Sequence, residues 1–423
     1  MTGASEVEAL FASVAAEHPR CVWLDGGGGR DWSGRRSVLA WLDPDDVSLS
    51  YSAATREVTR WSGGRGTVVG DDVFAVLERE LAEGGPWFGY LGYAARPDLP
   101  AAPDPWLPDA VWMRPSHVRA FDHEPASPTS GSVDDVSSVD PEDHHSSGGA
   151  QPPPAYRAAF ARVQEHLHAG NTYEVNLTHR LERRSDLDPV TVYRRLRALN
   201  PAPYAGFLQH DVPGARAWLL GSSPERYALV TADRTIETKP IKGTTPRGAA
   251  PEADERQRRH LAADAKFRAE NLMIVDLLRH DLAQVCEVGS VEVPELMAVE
   301  SYAAVHQLVS TVRGRLRPEV STVQALRALF PAGSMTGAPK RRTMEVVGEV
   351  EQTPRGAYAG AFGWLSADGR ADLGVVIRTL TTAGDGTYRV GTGGGLTVLS
   401  DVAEEWAETQ AKTSRVLAAL DEV

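Results

Sequence analysis

Between Asp122 and Pro154 the chain is built almost entirely from Asp, Ser, Pro, His and Gly, with hardly an apolar anchor. Such a stretch cannot bury enough surface to offset the entropy of ordering it. The folded parts must therefore come from either side of it. This divides the 423 residues into an N-terminal region (1–121), a flexible Ser/Asp/Pro-rich linker (122–154) and a larger region (155–423). The length suits two or three ordinary domains or one large two-layer one. His144 and His145, inside the linker, have no partners at ligand spacing and read as solvated side chains.

Composition narrows the class. The formal charge of −13 argues against a nucleic-acid footprint, which would be basic. It leaves a small anionic substrate open, because local lysines and arginines set the field in a pocket. With only Cys21 and Cys286 there is no disulfide framework and no Cys-rich zinc site. Met1–Leu10 carries two glutamates and no basic residue, unlike a secretory signal, and no apolar run reaches the roughly 18 residues of a membrane span. A cytoplasmic enzyme is the expectation.

In the N-terminal region, Val22–Asp25, Ser37–Trp41, Val47–Tyr51 and Trp87–Leu91 are β-rich runs bounded by Gly, Asp and Pro. Asp71–Ala82 has helical spacing, with Asp71 or Asp72 as N-cap. Gly26–Gly29 has no Gly-Lys-Ser/Thr after it and reads as a turn, not a phosphate loop. Beyond the linker, Pro154–Leu167 is helical, Thr172–Thr178 a strand, and Pro189–Leu199 a helix stopped by Asn200-Pro201-Ala202-Pro203. A long helical stretch is expected from about Pro251 to Val285, and a three-stranded meander over Ala361–Val390 with Arg378 in its central strand.

Several residues invite a chemical reading beside a structural one. Lys242 stands between Ile241 and the turn-forming Gly243, after a strand-like run from Tyr227 to Ile236. It reads as a loop lysine, or, where desolvation lowers its pKa, as an amine nucleophile. Glu225 ends the strand-like Trp218–Gly221 segment after Pro224, either as a salt-bridge partner or as a general acid. Glu270 abuts a nearly continuous apolar run, where a charge must be paired or metal-bound. His306 sits in an apolar strand, a common place for a satisfied core histidine. Phe330–Lys340 sets two glycines, Ser334 and Thr336 before a helix start, an arrangement friendly to anions. Arg378 has a fork suited to a carboxylate. Gly393, Gly394 and Gly395 let backbone amides approach a ligand. In the last helix, capped by Asp401 and Glu404, Glu405, Glu408 and Lys412 share a face, as a solvated acidic patch or as part of an all-oxygen Mg²⁺ site.

Pro240-Ile241-Lys242-Gly243-Thr244 resembles the signature of the chorismate-utilising, anthranilate synthase component I-like family, in the form found in its aminodeoxychorismate synthases. Anthranilate synthases of that family usually carry alanine at the position of Lys242. Thr172–Thr178 is similar to the family's Tyr-Gln-Val-Asn-Leu-Thr, and Ser223-Pro224-Glu225, Glu270–Asp276, Phe330–Lys340 and Arg378 also match its motifs. His280 stands where relatives usually carry asparagine, and Phe267 where some carry a second acid. Leu24-Asp25-Gly26-Gly27 replaces the Leu-Glu-Ser-like segment with which relatives often hold tryptophan.

The resemblance implies an α+β fold of two interleaved layers of mostly antiparallel sheet with flanking helices, the site between them. It implies Mg²⁺ on Glu270 and Glu408 with Glu405 close by, binding the ring carboxylate of chorismate. Arg378 and the amides of Gly393–Gly395 would hold the other carboxylate, with Thr244 and Lys412 also on the substrate. Lys242 would attack the ring as the 4-hydroxyl leaves with help from Glu225, with His306 near the ring. Ammonia from a glutamine amidotransferase partner would displace the lysine, giving 4-amino-4-deoxychorismate, the precursor of 4-aminobenzoate. The alternatives are an anthranilate synthase component I or an isochorismate or salicylate synthase.

Overall fold

The computed structural model describes residues 3–26, 36–123, 151–302 and 305–421. Most of the linker, with His144 and His145, and Gly27–Gly29 of the glycine run lie outside the described residues. The N-terminal region comprises α1 (Gly3–Glu17), β1 (Arg20–Asp25), β2 (Arg36–Trp41), β3 (Val47–Ser52), β4 (Glu57–Ser62), β5 (Arg65–Gly70), α2 (Val73–Leu81), β6 (Pro86–Leu91), β7 (Ala110–Arg114) and β8 (His117–Asp122). The larger region begins with α3 (Pro154–His168), β9 (Glu174–Arg184), α4 (Pro189–Leu199), β10 (Tyr204–His210), β11 (Ala217–Ser223), β12 (Arg226–Val230), β13 (Thr235–Lys239) and β14 (Ile241–Pro246). It continues through α5 (Pro251–Ala263), α6 (Ala265–Ala283), β15 (Glu292–Ser301), β16 (Val305–Arg315), α7 (Thr322–Leu329), β17 (Gly337–Ala338) and α8 (Lys340–Val350). The last elements are β18 (Ala361–Ser366), β19 (Ala371–Val375), β20 (Thr379–Thr382), β21 (Thr387–Leu396) and α9 (Val402–Leu417).

Two antiparallel sheets organise these elements. A nine-stranded sheet runs β17-β9-β21-β20-β11-β10-β1-β2-β8, and a twelve-stranded one runs β14-β16-β13-β12-β19-β18-β6-β7-β3-β4-β5, with β15 pairing to β16. The N-terminal region is no unit of its own: β1, β2 and β8 enter the first sheet and β3–β7 the second.

Strand β1 shows why the layers hold. Successive side chains point to opposite faces, and both faces are buried. Cys21 and Trp23 pack with Phe11 of α1 and Tyr193 of α4 on the helix side. Val22 faces the other way and, with Leu208 and Leu219, meets Phe88, Tyr90, Val111, Met113 and Phe362 of the second sheet. Each such side chain contributes roughly 1.5–3 kcal/mol when fully buried. Beyond the second sheet, the apolar faces of α2, α6 and α7 close a further core around Phe74, Ile274, Leu278 and Leu326. Helix ends are set locally; Asp72 caps α2 by accepting the Phe74 N–H at 2.9 Å.

Two expectations are corrected. The stretch from Pro251 to Val285 is two helices, because Asp264 leaves the helical region (φ −61°, ψ 122°) and caps α6 by accepting the Phe267 N–H at 3.0 Å. Ala361–Val390 is no single meander: β18 and β19 belong to the twelve-stranded sheet, β20 and β21 to the nine-stranded one. Residues 376–378 cross between them, and Arg378 takes a left-handed backbone (φ +51°) at the corner instead of a central strand position. The chain also crosses sheets between β11 and β12, where Glu225 lies. The two crossings stand together, the Ser222 N–H bonding the Arg378 carbonyl at 3.1 Å and the Val375 N–H the Glu225 carbonyl at 2.9 Å.

Candidate active site

Lys242 lies on β14, at the edge of the twelve-stranded sheet. The pairing of β14 with β16 slips between Ile241 and Thr244, a bulge of the kind that re-aims a side chain. Gly243 carries the unusual backbone, φ +93°, and a Cβ there would come within 2.8 Å of Phe267 and 2.9 Å of Leu261. The result is a lysine only 8% exposed, whose Nζ donates to Glu174 Oε1 on β9 of the other sheet.

Burial alone lowers the pKa of Lys242, but Glu174, Glu270 and Glu225 together outweigh it and hold the group above the ordinary lysine value. The expectation that desolvation depresses this pKa is therefore reversed, and in this state Lys242 is an ammonium. Glycines make the approach possible. At Gly395 a Cβ would overlap Glu174 Oε1 and lie 2.8 Å from Lys242 Nζ.

Glu225 is 5% exposed. Burial pushes its carboxyl up to about 7, against the opposing Ser334 hydroxyl, Lys242 and the Ile241 backbone. Ser334 donates to Glu225 Oε1 at 2.7 Å. The Phe330–Lys340 segment thus serves the carboxyl through Ser334, while Lys340 is spent on Asp281 and the Leu329 carbonyl, both at 2.7 Å.

Glu270 on α6 is likewise raised to about 7, first by burial and further by Glu174 and Glu405, against Lys242 and Lys266. Its Oε1 is buried without a hydrogen-bond partner among the described residues. On α9, Glu405 is buried and accepts from Lys266 at 2.9 Å and Ser400 at 2.8 Å. Glu408 pairs with Lys412 at 2.6 Å, which holds it below the ordinary carboxylate range. Lys412 also donates to the Gly393 carbonyl at 2.9 Å. Among the described residues no three acidic, imidazole or thiol groups stand together at metal-ligand spacing. In kind the donors still suit Mg²⁺: hard carboxylate oxygens, an orphaned buried Oε1 on Glu270, and Glu405 Oε2 lying 2.8 Å from where a Cβ of Gly394 would be.

The remaining expected residues are more scattered. Gly393, Gly394 and Gly395 lie in β21 opposite Thr178, Leu177 and Asn176 of β9. Strand β20 pairs only near Val390 and Arg389, away from them. The Arg378 guanidinium makes no hydrogen bond or ion pair to the described residues, and burial pulls its pKa down. Thr244 is exposed on β14. His306 is 1% exposed, and both ring nitrogens are engaged, by Ser301 at 2.8 Å and Asp254 at 3.0 Å.

Residues 20–418 match the sequence profile described as chorismate binding enzyme. The chain belongs to the chorismate-binding enzymes. It is 40% identical to an aminodeoxychorismate synthase of Streptomyces pristinaespiralis, over 98% of this chain and 64% of that protein. It is 38% identical to anthranilate synthase component 1 of Streptomyces coelicolor, over 78% of this chain and 72% of that one. The chain therefore spans less than two thirds of the first relative's length. Its fold matches anthranilate synthase component I from Streptococcus pneumoniae TIGR4 with a TM-score of 0.71 at 26% identity, covering 90% of this chain and 92% of that structure.

In this chorismate-binding enzyme the sequence reading passed over three groups that shape the site: Glu174 holds Lys242, Asp254 bonds His306, and Lys266 bonds Glu405. Ser334, read as part of an anion-friendly segment, bonds the Glu225 carboxyl. Glu174 left a trace: an acid opening the strand-like Thr172–Thr178 segment, where the family pattern has glutamine. The others gave no local signal, because each partner arrives from a distant part of the chain.

Proposed function

We propose that the chain aminates chorismate, forming 4-amino-4-deoxychorismate. The observation that carries this reading is the burial of Lys242 among Glu174, Glu225 and Glu270. Most lysines stand in solvent, and this one is buried against three carboxylates. By the family pattern, an anthranilate synthase would carry alanine at this position. This favours amination with a lysine intermediate over the likeness to component 1 of the anthranilate enzyme.

Lys242 is the nucleophile. As an ammonium it first sheds a proton, and the carboxylate bonded to it, Glu174, is the acceptor at hand. Its lone pair then forms a C–N bond to the ring while the 4-hydroxyl departs, taking the proton that Glu225 holds below a pH of about 7. Ammonia displaces the lysine, so one difficult substitution becomes two easier ones. Arg378, which makes no hydrogen bond or ion pair to the described residues and feels Glu408 only at a distance, takes a substrate carboxylate. The open edge of β21 at Gly393–Gly395, with Thr244 and Lys412, completes the substrate contacts. His306 acts from behind, tying β16 to α5 through Asp254 and to β15 through Ser301.

Glu270, Glu405 and Glu408 would hold Mg²⁺, which supplies charge for the ring carboxylate and draws electron density from the ring. Lys266 and Lys412 neutralise these acids in the meantime. Ammonia is delivered from glutamine by an amidotransferase partner.

Product identity tests the reading. The purified chain is given chorismate, Mg²⁺ and ammonium at alkaline pH, and products are separated and weighed. Aminodeoxychorismate is expected. Anthranilate with pyruvate, or isochorismate or salicylate, would move the chain to a rival activity.

A further inference from the structure

Glu174 has one carboxylate oxygen more than Lys242 uses. It opens β9, is 1% exposed, and commits Oε1 to Lys242. Oε2 is buried and has no hydrogen-bond partner among the described residues. Leaving a buried acceptor unpaired costs roughly 1–3 kcal/mol, more when it is charged. The glycine at 395 is required for the Glu174–Lys242 approach, so the sequence maintains this arrangement. The same carboxylate thus holds the amine with one oxygen and presents a second acceptor one carboxylate's width away.

The chemistry of the occupant follows from the charges around it. Glu270 Oε1 is also without a donor, but with Glu270 given to Mg²⁺ it is Glu174 Oε2 that is left as an acceptor with nothing to accept from, and a bare substrate carboxylate there would be repelled. What it binds must bring N–H or O–H donors, be small, and arrive beside Lys242 Nζ. Resting on the amination reading above, we infer that Glu174 Oε2 is the acceptor that docks the ammonia displacing Lys242. Bound there, ammonia keeps its lone pair free for the ring. As the new C–N bond forms the C–Nζ bond breaks, and the proton shed by the incoming nitrogen passes to Nζ, restoring the free lysine side chain.

The test is steady-state kinetics of Glu174→Gln with ammonium chloride as the varied nitrogen donor, at saturating chorismate and Mg²⁺. Glutamine keeps the shape but must turn its NH₂ toward one of the two donors. The KM for ammonium is expected to rise about tenfold or more, the scale of one lost charge-assisted hydrogen bond. The KM for chorismate and the half-saturating Mg²⁺ should stay within about twofold, while kcat falls because Lys242 loses the carboxylate that takes its proton. An unchanged ammonium KM, or an increase confined to chorismate or to Mg²⁺, overturns the inference. If Glu174→Gln does not fold, Glu174→Asp keeps the charge and withdraws the oxygen. It should show the same selective rise, and an unaltered ammonium KM would again overturn the idea. Failure of the wild type to aminate chorismate sinks the functional reading itself; normal wild-type amination with an unaltered variant sinks only this inference.

Discussion

Ser334 and Glu225 come from segments 109 residues apart, and the serine hydroxyl donates to the carboxylate at 2.7 Å without keeping it ionised. Burial wins, and the carboxyl rests near 7. Glu225 therefore carries its proton below that pH, as a general acid for hydroxyl departure must. The rate is expected to fall as pH rises through about 7 at saturating ammonia. Glu225→Gln should lose roughly 10²–10⁴ in kcat and remove that limb of the profile. A pH–rate series on both proteins checks this.

The same carboxyl makes stability depend on pH. Its pKa is raised by folding, so its contribution is complete below the ordinary value of 4.5 and gone once pH passes about 7. Glu225→Gln stays neutral throughout. Melting temperatures should therefore show the variant gaining on the wild type between pH 5 and pH 8. The gain is on the order of 3 kcal/mol, at about 1.4 kcal/mol per pH unit.

Gly395 separates shape from charge. Gly395→Ala would press a methyl onto Glu174 Oε1 and to within 2.8 Å of Lys242 Nζ. Displacing a reacting group by about an ångström costs on the order of 100-fold. We expect at least that loss in kcat, with circular dichroism unchanged. Full activity would mean that the Lys242–Glu174 pairing is not catalytically important.

Behind the site, Glu351 accepts from Arg355 at 2.7 and 3.0 Å and from the Thr178 N–H and hydroxyl at 2.8 Å. Arg355 also bonds the carbonyls of Met335 and Asn176, tying the end of α8 to β9. Glu351→Ala leaves this guanidinium buried without its counter-charge and should destabilise the protein by about 3–5 kcal/mol. The urea midpoint should drop with little change in slope.

Much of this was legible in the sequence because it is local. Strands such as Val47–Ser52 follow from their alternation of apolar residues with serine, and Asp72 announces α2. The motif residues Lys242, Glu225 and Glu270 do come together, since both carboxyls act electrostatically on the lysine. What stayed hidden is what two distant segments decide jointly. Arg378 looks like a strand residue because its neighbours are apolar, yet those neighbours are apolar on account of the crossing between sheets. Asp264, in an Ala-Ala-Asp-Ala context, breaks a helix that its neighbours would continue. The charge state of Lys242 depends on Glu174, 68 positions away, so no reading of Pro240–Thr244 alone could assign it.

The bond from Lys242 to the substrate can be weighed directly. Chorismate and Mg²⁺ are mixed with the protein without any nitrogen donor, the reaction is stopped by acid, and the intact mass and peptides are read by mass spectrometry. A mass gain of chorismate less one water is expected, mapped to Lys242, cleared by a chase of ammonium and absent in Lys242→Ala. Ammonium-dependent turnover by Lys242→Ala at the wild-type rate, with no adduct on the wild type, would contradict it.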